Sequence, residues 1–219
     1  KHPVIESEFL YTEEDTVDKI FNETIEELNL ARLYLDGYDV TIVKNGKRNI
    51  FYEQNDGNTT LKTEKSSTAS CSSNEDTDDD SSEDCNGLVH NFIRTIFEDL
   101  VSVKEVHYIF SVGWTEINEL NQLLDLLNGN GLAQCFNLPQ LLETISTGLK
   151  NKNDMNNHNI LSIVLEQQWI DNINGQPMHK VSTVNFCDFR YANEKASHHE
   201  PTINFYPQPT SYLPPYMLS

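Results

Sequence analysis

The sequence predicts an α/β domain, a three-layer arrangement in which a mostly parallel central sheet is flanked by helices. Three observations carry this. A run of helical apolar spacing leads into a short β-branched segment that stops at Asn45-Gly46, a helix-then-strand order typical of α/β folds. Further helix-period and strand-like segments follow to about residue 190. The 219 residues, 37% of them hydrophobic, suffice for one core but not for two full domains plus a long insert. The expected organisation is one domain over 1–194, with an acidic insert at about 55–86, and a Pro/Tyr-rich disordered tail over 195–219.

From Thr16 to Asp36, the residues Val17, Ile20, Ile25, Leu28, Leu30, Leu33 and Leu35 fall near helical spacing, and Gly37 supplies the stop. One long helix is expected. Val40 to Val43 reads as a buried strand. Between about Asn55 and Asn86, periodicity gives way to Ser, Thr, Asn, Asp and Glu, the composition of a disordered loop. Leu88, Phe92, Ile96, Phe97 and Leu100 then mark one apolar helix face. A strand is expected over Val106–Ile117, a helix from about Glu119 to Leu127, and another from Leu138 to about Leu149 with Pro139 in its first turn. Strands at Ile160–Ile170 and Val181–Phe189 flank Asn174-Gly175, a hairpin signal. After Glu194 the chain is rich in Pro and Tyr, a composition unsuited to a core element.

Charge and cysteine usage narrow the function classes. A formal net charge of -19 opposes nucleic acid, anionic lipid and any acidic polymer surface at long range. Four scattered cysteines without a CxxC pair suit reduced thiols rather than a disulfide framework or zinc site. The apolar segments are short and interrupted, so neither a secretory leader nor a membrane span is expected. His198-His199-Glu200 lacks further ligands at metal spacing. Trp114 and Trp169 sit in strand-like runs and read as core. Serines beside carboxylates, at Ser73 and at Ser81-Ser82, have the surroundings that acid-directed kinases favour.

Several segments, in order, resemble the kinesin motor domain. Leu35-Asp36-Gly37-Tyr38-Asp39-Val40 is similar to that family's approach to its phosphate loop. Gly87-Leu88-Val89 resembles the helix opening after it, and Trp114-Thr115-Glu116-Ile117 with Leu126-Leu127 resembles a following strand region. Leu165 to Trp169 leading into Val181 to Asp188 is the strongest match. The resemblance covers roughly Phe9 to Glu194. It implies the P-loop NTPase fold, with ATP and magnesium as family cofactors, microtubules as family partner, and a cytoplasmic, cytoskeleton-associated location. The family's first strand and its downstream microtubule-binding helices are not recognisable, so a fragment or a reduced relative is expected.

The residues carried over by this resemblance depart from the chemistry the family needs. A phosphate loop requires glycines so that backbone amides can wrap the anion, a lysine for the β- and γ-phosphates, and a hydroxyl for magnesium. The aligned run is Gly46-Lys47-Arg48-Asn49-Ile50-Phe51-Tyr52-Glu53, in which only the first glycine survives. Asn49 and Phe51 replace wrapping glycines, Tyr52 replaces the lysine and Glu53 the hydroxyl. In the first γ-phosphate motif Asn151 and His158 match, while Asp154, Met155 and Asn156 stand where serines and an arginine belong. In the second, Asp188 persists, Tyr191 replaces the sensing glycine and Asn193 the glutamate. Phosphoryl transfer rests on positioning and charge stabilisation, so these losses together point to a pseudo-ATPase with no bound cofactor and no catalytic residue. The resemblance implies, as the expected function, a non-motile binding or scaffold module in signalling of the Hedgehog type, acting on protein partners; the charge implies weak or no microtubule binding and no nucleic-acid partner. The alternative is a microtubule motor that binds ATP.

Overall fold

The computed structural model describes residues 9–12, 14–46, 48–52, 87–102, 105–118, 120–127, 129, 132–152 and 157–190, together with the backbone of 7–8, 202–205 and 208–209. The expected acidic insert lies outside them.

Strand β1 (Ser7–Leu10) precedes the first helical region. This region is not one long helix. Helix α1 (Val17–Phe21), capped by the Thr16 hydroxyl accepting from the Lys19 amide, runs into a π-helical turn at Asn22–Glu26. Asn29 then takes a left-handed φ of 52° and helix α2 (Leu30–Leu35) starts afresh. Asn tolerates that conformation better than other non-glycine residues, so an apolar pattern that reads as continuous is broken by one polar residue. Gly37, at φ 98°, turns the chain into strand β2 (Tyr38–Asn45).

Helix α3 (Leu88–Ser102) buries Leu88, Val89, Phe92, Ile93, Ile96, Phe97 and Leu100, the face expected from its spacing. Strand β3 (His107–Ile117) follows. The helix expected from about Glu119 to Leu127 does not form; the chain reverses into the short strand β4 (Leu123–Asp125). Asn118 is the reason: its side-chain oxygen accepts from the amides of Leu120 and Gln122, a local competition that turns the chain before a helix can start. Strand β5 (Ala133–Cys135) leads to helix α4 (Leu138–Asn151), whose Asn137 cap accepts from the Gln140 amide at 3.0 Å. Strands β6 (His158–Ile170) and β7 (Pro177–Phe189) form the hairpin, with Gly175 at φ 66° in its turn.

Two further strands, β8 (Thr202–Phe205) and β9 (Gln208–Pro209), fall in the stretch expected to be a disordered tail. This is a correction, because β8 inserts between β1 and β2, where backbone pairing rather than apolar composition recruits it.

The sheet order is β1-β8-β2-β7-β6-β3-β4, with β5 also on β3 and β9 also on β2. The α/β class stands, with a mixed sheet flanked by helices, but the expectation of mostly parallel strands does not hold. Among the described residues only β2 and β7 pair in parallel; the other pairings are antiparallel. For β6–β7 and β3–β4 the short connections require it, since a link of a few residues can join only antiparallel neighbours.

The described helices share one face of the sheet. Tyr34 of α2 donates to the Ile163 carbonyl and meets Phe92 of α3, which meets Phe186 of β7. Gly148 of α4 lies against the Trp114 indole. Strand β6 accordingly alternates, with Asn159, Leu161, Ile163 and Leu165 buried under the helices and the residues between them partly exposed on the other face. Among the described residues, two of the three expected layers are therefore present.

Candidate functional site

The site expected from the aligned phosphate loop lies where β2 and β7 end together, next to the start of α3. Parallel pairing sets Lys44 opposite Asp188 and Asn45 opposite Phe189, so both strands deliver their last residues to one edge. Gly46 leaves β2 at φ 125°, a backbone region that favours glycine, and its amide donates to the Phe189 carbonyl. This is the one aligned loop residue that the motif retains.

At the centre of the site is Lys44, which belongs to none of the aligned motifs. Its side chain is fully buried, in register with Val40 and Ile42 on the helix-covered face. The ammonium pairs with the Asp188 carboxylate and donates to the carbonyls of Gly46 at 3.0 Å and Arg48 at 2.7 Å. Burial holds its pKa down to about 8 against the attraction of Asp188. The loop therefore turns carbonyl oxygens inward onto a cation. A phosphate loop does the reverse, turning amides inward onto an anion.

The start of α3 is also engaged. The amides of Leu88 and Val89 donate to the carbonyls of Ile50 and Phe51, at 3.0 and 3.2 Å. Those are orphan donors of a first helical turn, the groups that would otherwise receive an anion. Gly87 permits this closure, since a Cβ there would run into the Phe51 carbonyl.

Aromatic side chains fill the space behind the loop. Phe51 is fully buried and meets Phe186 edge-on at 5.5 Å. Tyr52 is buried against Trp114 at 5.0 Å, with the Lys152 ammonium 5.5 Å from its ring centroid. Arg48 reaches away to the carbonyls of Thr12 and Asp15. Asn49 accepts from Arg190 at 3.4 Å.

Asp188 is the junction of the whole cluster. Besides Lys44 it receives Arg190 at 2.8 Å and the Asn159 amide at 3.4 Å. His158 accepts from the Arg190 amide at 2.9 Å through Nδ1, and its ring packs on Phe189. Asn151 donates to the Leu126 carbonyl at 2.7 Å and so ties the end of α4 to the strand region rather than to the loop. Of the expected site residues, Gly46, Asn49, Phe51, Tyr52, His158 and Asp188 gather here, while Asn151 stands apart on its own contact. Glu53, Tyr191 and Asn193 lie outside the described residues, as do Lys47, Asp154, Met155 and Asn156.

Sequence reasoning missed Lys44, Arg190 and Asn159. Lys44 left one signal: it continues the alternation of Val40 and Ile42, which places a lysine on a buried face. The described residues do not fit a triphosphate, because the helix-terminal amides are engaged, the loop carbonyls face inward and two aromatic rings occupy the interior. Nor do three or more His, Cys, Asp or Glu side chains cluster as a metal site among the described residues.

Comparison with known proteins gives a consistent relationship. No protein-family model matches the chain. It is 28% identical over 171 residues to the kinesin-like protein costa of Drosophila melanogaster, an alignment that covers 78% of this chain and 12% of costa. A solved fast kinesin, studied for its ATPase mechanism and its interactions with microtubules, superposes at a TM-score of 0.56 with 16% identity. That match covers 84% of this chain and 53% of the kinesin chain, so the chain spans about half the length of the structure it matches.

Proposed function

We propose that this chain, a divergent kinesin motor domain by fold and by relatives, serves as a protein-binding module that does not turn over nucleotide. The observation that carries the reading is Lys44, whose ammonium, with Asp188 and the carbonyls of Gly46 and Arg48 around it, occupies the interior of the loop. An internal cation held by inward carbonyls leaves the loop no set of convergent amides for a β- or γ-phosphate. The substitutions at Phe51 and Tyr52 act in the same direction by filling the interior with rings. The relationship to costa favours a scaffold role in signalling of the Hedgehog type, with protein partners in the cytoplasm at the cytoskeleton.

The experiment is nucleotide binding on the purified chain, by thermal shift and titration calorimetry with magnesium-ATP and magnesium-ADP. A ligand that binds the folded state raises its apparent stability. We expect no shift at millimolar nucleotide. Saturable binding overturns the reading, and the aligned alternative, a nucleotide-binding microtubule motor, then takes its place.

A further inference from the structure

At the opposite end of the sheet from this loop lies a cavity of about 330 Å³, bounded by the last turns of α2 and α3 and by the tip of the β6–β7 hairpin. The hairpin projects past its neighbours: the β3 pairing ends at Gln168 and the β2 pairing begins only at Val184. Trp169 and Lys180 therefore line the cavity from an overhanging ribbon. Beyond them, Ile170 is 58% exposed and Ile173 96% exposed, an apolar tip continuous with the cavity mouth.

The electrostatic character of this cavity is negative. Asp36, Asp99 and Glu105 line it. Two helices point their C-terminal ends, and so their partial negative charge, toward it. The cations in its wall are already engaged, Arg32 by Asp36 at 3.1 Å and Lys180 by the Leu35 carbonyl at 3.1 Å and the Trp169 ring at 5.3 Å. Among the described residues no cation pairs with Asp99 or Glu105. An indole wall beside these carboxylates is a setting for a guanidinium or ammonium on an apolar stem, which stacks on the ring while its charge meets the acids.

We propose that this cavity and the adjoining hairpin tip form a docking site for a basic, apolar-flanked segment of a partner protein, an arginine or lysine entering the cavity and leucine-like side chains covering Ile170 and Ile173. The net charge of -19 steers a cationic segment toward the molecule and disfavours a second copy of the chain as occupant. The proposal goes beyond the scaffold reading and does not depend on the state of the nucleotide loop at the far end.

The test is an NMR titration of the full chain with the capped peptide acetyl-Leu-Arg-Leu-Leu-Arg-amide, with the matching glutamate peptide as control. The two tryptophans give two indole signals, assigned with Trp169→Phe. We expect a saturable shift of the Trp169 signal, none of the buried Trp114 signal, weaker binding in higher salt, and no response to the glutamate peptide. The double variant Asp99→Asn, Glu105→Gln alters two exposed side chains and should weaken the arginine peptide by about fivefold to tenfold with the fold unchanged. No saturable Trp169 shift at millimolar peptide, an equal response to the glutamate peptide, or a Trp169 shift on concentrating the chain alone, the sign of a second copy on this face, each overturns the proposal.

Discussion

Lys44 and Asp188 illustrate how much of this protein is decided by single side chains. Both are fully buried, and their mutual attraction is supplemented by carbonyls on one side and by Arg190 and Asn159 on the other. Removing one partner of such a pair strands the other charge. Lys44→Met should therefore cost about 3 to 5 kcal/mol of stability by urea unfolding, while adding Asp188→Leu should restore part of it. Recovery in the double variant is the signature of a pair held for its geometry rather than for net stabilisation. His90, buried in α3, makes a pH prediction. Burial, with repulsion from Arg94 second, lowers its pKa to about 4 from 6.5. The unfolded chain thus takes up a proton between those values while the folded one does not. Stability from this group is fully present above about pH 6.5 and is lost as pH falls toward 4. By pH 5 the loss should reach about 2 kcal/mol, and His90→Leu should flatten that part of the profile.

At the scale of elements, close approach of α4 to the sheet depends on Gly148. A Cβ at that position would collide with the Trp114 indole, whose Nε1 donates to Asn159 at 3.3 Å and so links the helix contact to the Asp188 cluster. Gly148→Ala should destabilise by about 1 to 3 kcal/mol despite alanine's better helix propensity, and a lowered melting temperature would register it. A rise in melting temperature would mean that α4 can move away without loss. The elements also differ in how they could be read beforehand. α3, β3, α4 and the β6–β7 hairpin follow directly from apolar spacing, Pro139 in a first helical turn and the Asn-Gly turn. The region of α1 and α2 was legible as helical but not as interrupted, because the left-handed Asn29 leaves no mark in hydrophobic periodicity. Residues 119–127 misled because Leu120, Leu123 and Leu124 suit a helix while Asn118, through two side-chain hydrogen bonds, selects a turn.

For the molecule as a whole, the charge of -19 predicts poor affinity for an acidic polymer. In cosedimentation with microtubules at physiological salt, the pelleted fraction should be small and the same with ATP, ADP or no nucleotide. Nucleotide-dependent pelleting would favour the motor alternative. The sequence alone determined the α/β class and most element positions, since these depend on local spacing and residue type. Of the aligned positions, Gly46, Asn49, Phe51, Tyr52, His158 and Asp188 lie together at the ends of β2 and β7. Only the tertiary structure decided the rest: the mixed sheet, the pairing of β8 between β1 and β2, the side of the sheet that the helices cover, and the entry of Lys44 into the loop. The physical reason is that each of these depends on a partner distant along the chain. Lys44 and Asp188 lie far apart in sequence, and only the parallel register of β2 against β7 brings an ammonium and a carboxylate together beneath carbonyls that face inward.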